Sequence, residues 1–262
     1  MTWLMYMVLG AFAGTLAGLF GVGGGLIIVP VLIFSFNLQG IGGDLVAHMA
    51  VGTSLATIMF TSLSAIHTHH GRRAIDWPLA AMLSAGIVIG AWLGGYTADK
   101  MSGLALQRVI GLFAWLMAAQ MLFNLMPKGS GRLPGKPVQA AIGGVIGWAS
   151  GIFGIGGGSL TVPFLSWCSV PMQRAVAVSS ACGFPIALVG ALSYVVHGLD
   201  QNMPDEAWGY VYLPALIGIS VASMPFARVG AILAHKLPAA VLKRAFAVFL
   251  LLVGAKFLFF PA

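Results

Sequence analysis

A glycine-rich stretch that occurs twice constrains the fold of this chain more than any other feature. Residues 21–30 are GVGGGLIIVP and residues 154–163 are GIGGGSLTVP, so the two copies lie 133 positions apart. Each copy interrupts an apolar run. Four glycines within five residues oppose helix formation, because each costs roughly 1 kcal/mol relative to alanine in a helix. The pattern therefore predicts two matched helix breaks, one in each half of the chain.

The apolar runs around these stretches are too extensive for a soluble domain. The 262 residues are 59% hydrophobic and only 7% charged, whereas soluble domains carry roughly 25% charged residues. This composition predicts an all-α polytopic membrane protein with the lipid bilayer as its surroundings. The net charge of +7 comes from Lys and Arg residues scattered through short connections, which favours a membrane surface over nucleic acid as partner.

The apolar segments form two sets of five. They are predicted at residues 3–20, 25–37, 45–67, 77–98 and 104–126, and at residues 138–153, 158–168, 174–197, 208–235 and 238–260. The duplication continues beyond the glycines, because AVGTS at residues 50–54 matches AVSSA at residues 177–181, 127 positions later. We therefore expect two transmembrane repeats, residues 1–126 and 138–262, joined by a cytoplasmic linker at residues 127–137.

The distribution of positive charge discriminates between two topologies. If each glycine-broken element crosses once, each half has four spans, and the two sides carry five and six Lys and Arg residues. If each broken element enters and returns on the same side, nine lie on one side, including Arg72 and Arg174, and two lie on the other. The positive-inside rule favours the second topology. It predicts two inverted repeats of about five membrane segments each, with both termini outside.

Two matched breaks near mid-membrane predict a substrate site, because broken helices line the binding sites of many transporters. A helix that restarts after a break presents free N–H groups and the positive end of its dipole, which favours an anion. Nearby hydroxyl groups can also donate to oxyanions. The predicted substrate-binding residues are Gly23, Gly24, Gly25, Pro30, Thr53, Ser54, Gly156, Gly157, Gly158, Ser159, Thr161, Pro163, Ser179 and Ser180. The alternative is that the glycines only permit close helix packing and that the hydroxyls bond to their own helices.

The sequence predicts no catalytic residue, metal site or cofactor. None of the six carboxylates falls in the middle of an apolar segment, and no nucleophile–base pair is visible, so an enzyme is not expected. His67, His69 and His70 lie together in a basic connection without nearby Cys or carboxylate ligands, which favours a solvated loop. Arg228 lies within an apolar run, where we interpret its long side chain as reaching the membrane interface.

The paired motifs at residues 18–30 and 151–163, together with AVGTS at residues 50–54, resemble the sulfite exporter TauE/SafE family of permeases. The resemblance covers essentially the whole chain. It implies an inner-membrane carrier for sulfur-containing oxyanions such as sulfite or organosulfonates. The Thr-Ser pair of the family maps onto Thr53 and Ser54, whereas the second half has Ser179 and Ser180 followed by Ala181 and Cys182.

The favoured hypothesis is a secondary membrane transporter of small sulfur-containing anions, working by alternating access around a midplane site between the two glycine-rich breaks. An anion channel built on the same motifs is the alternative, and a membrane-embedded enzyme or scaffold is disfavoured. The expected ligand is thus a small anion, and a homodimer is left open as the oligomeric state.

Overall fold

The computed structural model describes residues 2–20, 24–41, 43–123, 131–234 and 239–260. Within these residues the chain is helical apart from short connections and one small antiparallel hairpin. The elements are α1 (Thr2–Phe20), α2 (Gly25–Gln39), α3 (Val46–Gly71), α4 (Trp77–Asp99), α5 (Gly103–Phe123), α6 (Lys136–Phe153), α7 (Gly158–Trp167), α8 (Met172–Gly198), β1 (Ala207–Trp208), β2 (Val211–Tyr212), α9 (Leu213–Ala234) and α10 (Ala239–Phe259).

Several of these helices meet the requirements for crossing a membrane. Five described segments are long and apolar enough: Gly43–Gly71, Trp77–Asp99, Gly103–Phe123, Met172–Gly198 and Leu213–Gly230. Large apolar side chains such as Leu4, Ile89 and Leu252 are exposed on the outer surface. A surface of this kind suits lipid rather than water. The prediction of a polytopic α-helical membrane protein is therefore confirmed.

The helices pack in pairs that join the two halves of the chain. α1 packs along α9 and α4 packs along α6. In the sequence repeat α1 corresponds to α6 and α4 corresponds to α9, so these two pairs are equivalent. α3 packs against its counterpart α8, and α5 against its counterpart α10. The two predicted repeat units are therefore interleaved, and residues 127–130 of the linker predicted between them lie outside the described residues.

Glycine makes the closest helix pairings possible. A Cβ atom at Gly14 of α1 would lie 2.5 Å from the backbone oxygen of Ser223 in α9. On the equivalent pair, a Cβ atom at Gly147 of α6 would lie 2.5 Å from the backbone oxygen of Ile87 in α4. In membranes helices associate through such close packing rather than through the hydrophobic effect. The packing interpretation thus suits these glycines, which lie outside residues 21–25 and 154–158.

α1 and α2 form an antiparallel hairpin. The side-chain amide of Gln39, at the end of α2, donates to the hydroxyl of Tyr6 near the start of α1, at 2.7 Å. The rings of Tyr6 and Phe36 are in edge contact, with centroids 6.4 Å apart. α1 therefore begins, and α2 ends, at the same end of the molecule. Tyr6 also contacts the ring of Tyr212, just before α9, at 6.0 Å.

α6 and α7 return to the opposite end in the same way. α4 and α6 run parallel, because Gly86 contacts Ala140 and Gly94 contacts Trp148. α6 therefore begins beside Asp76, the N-cap of α4. Arg174, in the first turn of α8, donates from Nη2 to Oδ2 of Asp76 at 2.6 Å. α7, which precedes α8, thus ends where α6 begins.

Two contacts bear on the choice between the two topologies. The Arg174–Asp76 ion pair puts the connection before α8 beside the connection that holds Arg72. At the other end of α4, Asp99 accepts a hydrogen bond from the hydroxyl of Tyr210 at 2.9 Å. With four spans per half, Arg174 and Asp76 would lie on opposite sides of the membrane, and so would Tyr210 and Asp99. We call the end with Arg72, Asp76 and Arg174 the basic end, and the end with Asp99 and Tyr210 the acidic end.

Candidate functional site

A cavity of about 210 Å³ lies between the two glycine-rich stretches. Gly24 lines it from the first stretch, and Gly156, Gly157 and Gly158 line it from the second. Small and apolar residues of α1, α2, α3, α7, α8 and α9 complete the wall. The structure therefore brings together glycines from both halves that the sequence predicts to meet.

The cavity extends from the middle of the molecule toward the basic end. Ala65 lies in the last part of α3, Val176 in the first part of α8 and Ala227 in the last part of α9, and all three line the wall. Each of these helix ends leads to the basic end. The space on the acidic side of the glycine-rich stretches is filled by other residues, as described below.

α7 begins at the cavity wall. α6 ends at Phe153, the chain turns at Gly154 with a φ of +65°, and α7 begins at Gly158 after its N-cap Gly157. The amide of Thr161 donates to the carbonyl of Gly157 at 2.9 Å, whereas the amides of Gly158, Ser159 and Leu160 have no backbone acceptor within the described ranges. These unpaired amides give the N-terminus of α7 its partial positive charge.

Gly24 caps α2 in a conformation that favours glycine. Its φ is +81°, and its carbonyl accepts from the amides of Ile27 and Ile28, both at 2.9 Å. Gly25, the next residue, faces the other stretch, because a Cβ atom there would lie 2.6 Å from the carbonyl oxygen of Gly154. Gly25 therefore supports the contact between the two stretches rather than the cavity wall, and Gly23 lies outside the described residues.

Five hydroxyl groups line the cavity: those of Thr61, Ser62, Ser179, Ser180 and Ser223. Three of them bond to carbonyls of their own helices. The hydroxyls of Ser62 and Ser179 take part in none of the hydrogen bonds among the described residues. Both residues are largely buried, so these two hydroxyls are available to a solute in the cavity. Ser179 and Ser180 were predicted from the sequence, and Thr61, Ser62 and Ser223 were not.

Thr53 and Ser54 lie outside the cavity wall, and both are fully buried. The Ser54 hydroxyl donates to the carbonyl of Gly154 at 2.9 Å, which ties α3 to the second glycine-rich stretch. The Thr53 hydroxyl accepts from the backbone amide of Tyr212 at 3.0 Å. In this conformation both hydroxyls therefore hold parts of the protein together.

The remaining predicted residues lie on α2 and α7 but do not line the cavity. Ser159 and Thr161 are buried, and neither hydroxyl has a hydrogen-bond partner among the described residues. Pro163 lies further along α7. Pro30 lies inside α2 and lines a separate apolar groove on the outer surface, together with Phe34 and Lys256.

Neutral donors dominate the electrostatics of the cavity. No Asp, Glu, Lys, Arg or His is among the described residues that line it. Arg228 follows the wall residue Ala227, but its side chain is exposed, in agreement with a side chain that extends away from the interior. A solute in this cavity would thus meet backbone amides, hydroxyls and small apolar side chains.

A cavity between two matched pairs of helix ends in a helical membrane protein is typical of membrane transporters. The chain matches the family described as "Sulfite exporter TauE/SafE" over residues 6–257. Since this match spans nearly the whole sequence, the chain belongs to that family, as its glycine motifs indicate.

Relatives in bacteria and archaea carry names of the same class. A "Probable membrane transporter protein" of Haemophilus influenzae is 34% identical over 253 residues, covering 96% of each chain. The "Probable membrane transporter protein YunE" of Bacillus subtilis is 31% identical, covering 76% of this chain and 80% of its own. The "Probable membrane transporter protein MJ0441" of Methanocaldococcus jannaschii is 29% identical, covering 83% and 79%. No solved structure matches the chain significantly.

Proposed function

We propose that this protein is a secondary transporter of small sulfur-containing oxyanions and that it holds the anion in the cavity between the two glycine-rich stretches. The observation that carries the proposal is the composition of the cavity wall. It combines the N-terminus of α7, the backbone at Gly24, and the unpaired hydroxyls of Ser62 and Ser179.

The wall suits an anion for two physical reasons. Free amides and the dipole at a helix N-terminus favour negative charge, and hydroxyls donate without the desolvation penalty of a buried Lys or Arg. No carboxylate among the described wall residues repels an anion. A site of dispersed neutral donors can bind an oxyanion and still release it, as a carrier must.

The size of the cavity and the family favour a small sulfur oxyanion. Pockets for drug-sized ligands measure roughly 300–1,000 Å³, and this cavity of about 210 Å³ is smaller. Sulfite, thiosulfate and short sulfonates each carry several acceptor oxygens, which match several donors around one small space. The family description names sulfite export, whereas the relatives are named only as membrane transporters.

The arrangement of the repeats supports alternating access. The α1–α2 hairpin opens toward the acidic end and the α6–α7 hairpin toward the basic end, which supports a pair of inverted repeats. Such repeats commonly exchange roles as a carrier opens to one side and then the other. By the positive-inside rule, the basic end would lie in the cytoplasm and both termini outside. The location that fits this proposal is the inner membrane of a prokaryotic cell.

Thermal stabilisation of the purified protein tests the proposal. A ligand that prefers the folded state raises the melting temperature in a concentration-dependent way. We expect a selective shift within a panel of sulfite, thiosulfate, sulfate, isethionate, sulfoacetate, taurine and chloride. A flat response across the panel, at concentrations up to tens of millimolar, would contradict the proposed substrate class.

Variants then locate the site. A hydrogen bond to a charged group contributes about 1.5–3 kcal/mol, so Ser62→Ala or Ser179→Ala should weaken binding about 10- to 150-fold. Ser64→Ala is the matched control, because Ser64 is exposed on the same helix as Ser62. In proteoliposomes a carrier shows saturable flux and acceleration by anion on the opposite side. Flux without either property would indicate the channel alternative.

A further inference from the structure

The repeat relation identifies where a second half of the anion pathway should lie. Ser179 and Ser180 line the cavity on the basic side. With the repeat offset of 127 positions, their counterparts on α3 are Gly52 and Thr53. If the two halves exchange roles, Gly52 and Thr53 should face the corresponding space on the acidic side.

In this structure strand β2 occupies that space. A Cβ atom at Gly52 would lie 2.9 Å from the carbonyl oxygen of Tyr210, so the backbone of the hairpin packs directly on Gly52. The amide of Tyr212 donates to the hydroxyl of Thr53 at 3.0 Å. Both tyrosines are only 2% exposed. The hairpin therefore covers both counterparts of the cavity serines.

Side-chain contacts anchor the hairpin at the acidic end. The hydroxyl of Tyr210 donates to Asp99 at 2.9 Å, and that of Tyr212 donates to Glu206 at 2.7 Å. The imidazole of His48 stacks on the ring of Tyr210, with centroids 5.1 Å apart. Burial, followed by the contact with Asp99, raises the pKa of Tyr210, so its hydroxyl stays protonated as a donor at neutral pH.

The two ends differ in the connection that could fill the space. Between α8 and α9 the chain takes residues 199–212 to fold the hairpin inward. The equivalent connection between α3 and α4 has only residues 72–76, and Arg72 and Arg73 within it are exposed. The end with the long connection is filled, and the end with the short one has the open cavity.

A buried hydroxyl on α7, that of Thr161, also supports a second half of the pathway on the acidic side. Thr161 is the counterpart of Ile28, which lines the cavity, by the offset of 133 positions that relates the glycine-rich stretches. Thr161 is completely buried, and its hydroxyl has no partner among the described residues. A buried hydroxyl without a partner costs free energy, which a role in a second conformation would explain.

We propose that Gly52, Thr53 and Thr161 line the second half of the oxyanion pathway, that strand β2 occupies it in this conformation, and that the hairpin withdraws when the cavity opens to the acidic end. The proposal rests on the alternating-access part of the proposed function. It assigns Thr53 and Thr161 to contact the anion only after Tyr212 has left Thr53.

Thiol labelling of single cysteines tests this proposal without any substrate. Met49→Cys reports on the acidic side and Val176→Cys on the basic side, because the two positions are repeat counterparts. Met49 is buried and Val176 lines the open cavity. The native Cys168 and Cys182 are buried, and the unsubstituted chain measures their background. Each reporter is labelled with a small charged methanethiosulfonate reagent in detergent.

The perturbation is Gly52→Ser, which introduces the counterpart residue where Tyr210 packs. We expect labelling at Met49→Cys to accelerate about tenfold and labelling at Val176→Cys to slow by a similar factor, as the conformational equilibrium shifts. Tyr210→Phe, which removes the bond to Asp99 and keeps the ring, is the milder second variant. Gly190→Ser is the control, because a Cβ atom there meets only the flexible side chain of Leu55.

Opposite changes in labelling at the two reporters distinguish a hairpin that closes one side of a pathway from a hairpin that only covers α3. Faster labelling at Met49→Cys with unchanged labelling at Val176→Cys, in both Gly52→Ser and Tyr210→Phe, would show only a loosened hairpin and would overturn the proposal. Unchanged labelling at both reporters would overturn it as well. Because no anion is present, this outcome is independent of the substrate panel, and the two proposals can fail separately.

Discussion

Replacing Ser54 by alanine separates a structural role of this residue from a binding role. Ser54 is completely buried in α3, and its hydroxyl donates to the carbonyl of Gly154 at 2.9 Å. Gly154 is the C-cap of α6, in the left-handed conformation. The bond therefore joins the central helix of the first half to the turn that leads into the cavity wall.

The size of the effect follows from the burial of both partners. Removing one partner of a buried hydrogen bond costs about 1–3 kcal/mol. For a chain of this size each 1 kcal/mol corresponds to about 2–4 °C in melting temperature. We therefore expect Ser54→Ala to lower the melting temperature by about 2–12 °C, measured on purified protein in detergent. Because Ser54 does not line the cavity, the affinity for the stabilising anion should change by less than about threefold.

Ser179→Ala provides the matched comparison, with the opposite expectation. Its hydroxyl lines the cavity and takes part in none of the hydrogen bonds among the described residues, so its loss should reduce affinity and leave the melting temperature of the anion-free protein nearly unchanged. If Ser54→Ala instead keeps its melting temperature and binds the anion at least tenfold more weakly, the structural assignment of Ser54 is refuted. The interpretation that the family resemblance implies would then apply.

Three further results are expected. Gly90→Ala should disrupt the pairing of α4 and α6 and lower the yield of folded protein, because its Cβ atom would overlap the Gly144 carbonyl. Gly144→Ala should be tolerated, since the nearest neighbour of its Cβ atom would lie at 3.7 Å. Size-exclusion profiles of the two variants check this difference. In the anion-free protein, Gly24→Ala should lower the free energy of unfolding by about 1–2 kcal/mol because the φ of Gly24 is +81°. Melting curves of the two proteins check this. Cysteines at Arg72 and Arg174 should be labelled by an impermeant reagent from the same side of intact vesicles, and labelling from opposite sides would contradict the topology.

The sequence predicts the location of the cavity because glycine acts locally. Gly24 and Gly154 both adopt positive φ, and α7 begins just after Gly156 and Gly157. Such preferences belong to the residues themselves and do not depend on distant contacts. The same holds for the charge pattern, which favours the topology that the Arg174–Asp76 pair supports. Local chemistry and loop charges therefore predict two helix breaks and a topology with which this ion pair agrees.

Repeat symmetry is less reliable for individual hydroxyls. It assigns Thr53 the same role as Ser180, yet Ser180 lines the cavity and Thr53 accepts a hydrogen bond from Tyr212. The difference arises from the long connection before α9, whose inward fold could not be predicted from the polar residues around Asp200 and Glu206. A single conformation of a two-fold repeat breaks the symmetry that the sequence contains, so equivalent residues have different neighbours.

The repeat pattern also misses hydroxyls that do line the cavity. Ser62 is one of them, because its counterpart in the other half is not a polar residue. Its counterpart by the offset of 127 positions is Val189, and that of Thr61 is Leu188. A search for duplicated polar positions therefore passes over both residues. In the second half the unmatched hydroxyls are those of Ser159 and Thr161, whose counterparts in the first half are the apolar residues Leu26 and Ile28. Each half thus contributes hydroxyls that the other lacks, and an anion would meet different donors on the basic side and on the acidic side. Because the donors differ, we expect the two access states to bind the same anion with unequal affinity, even though one duplicated backbone builds both.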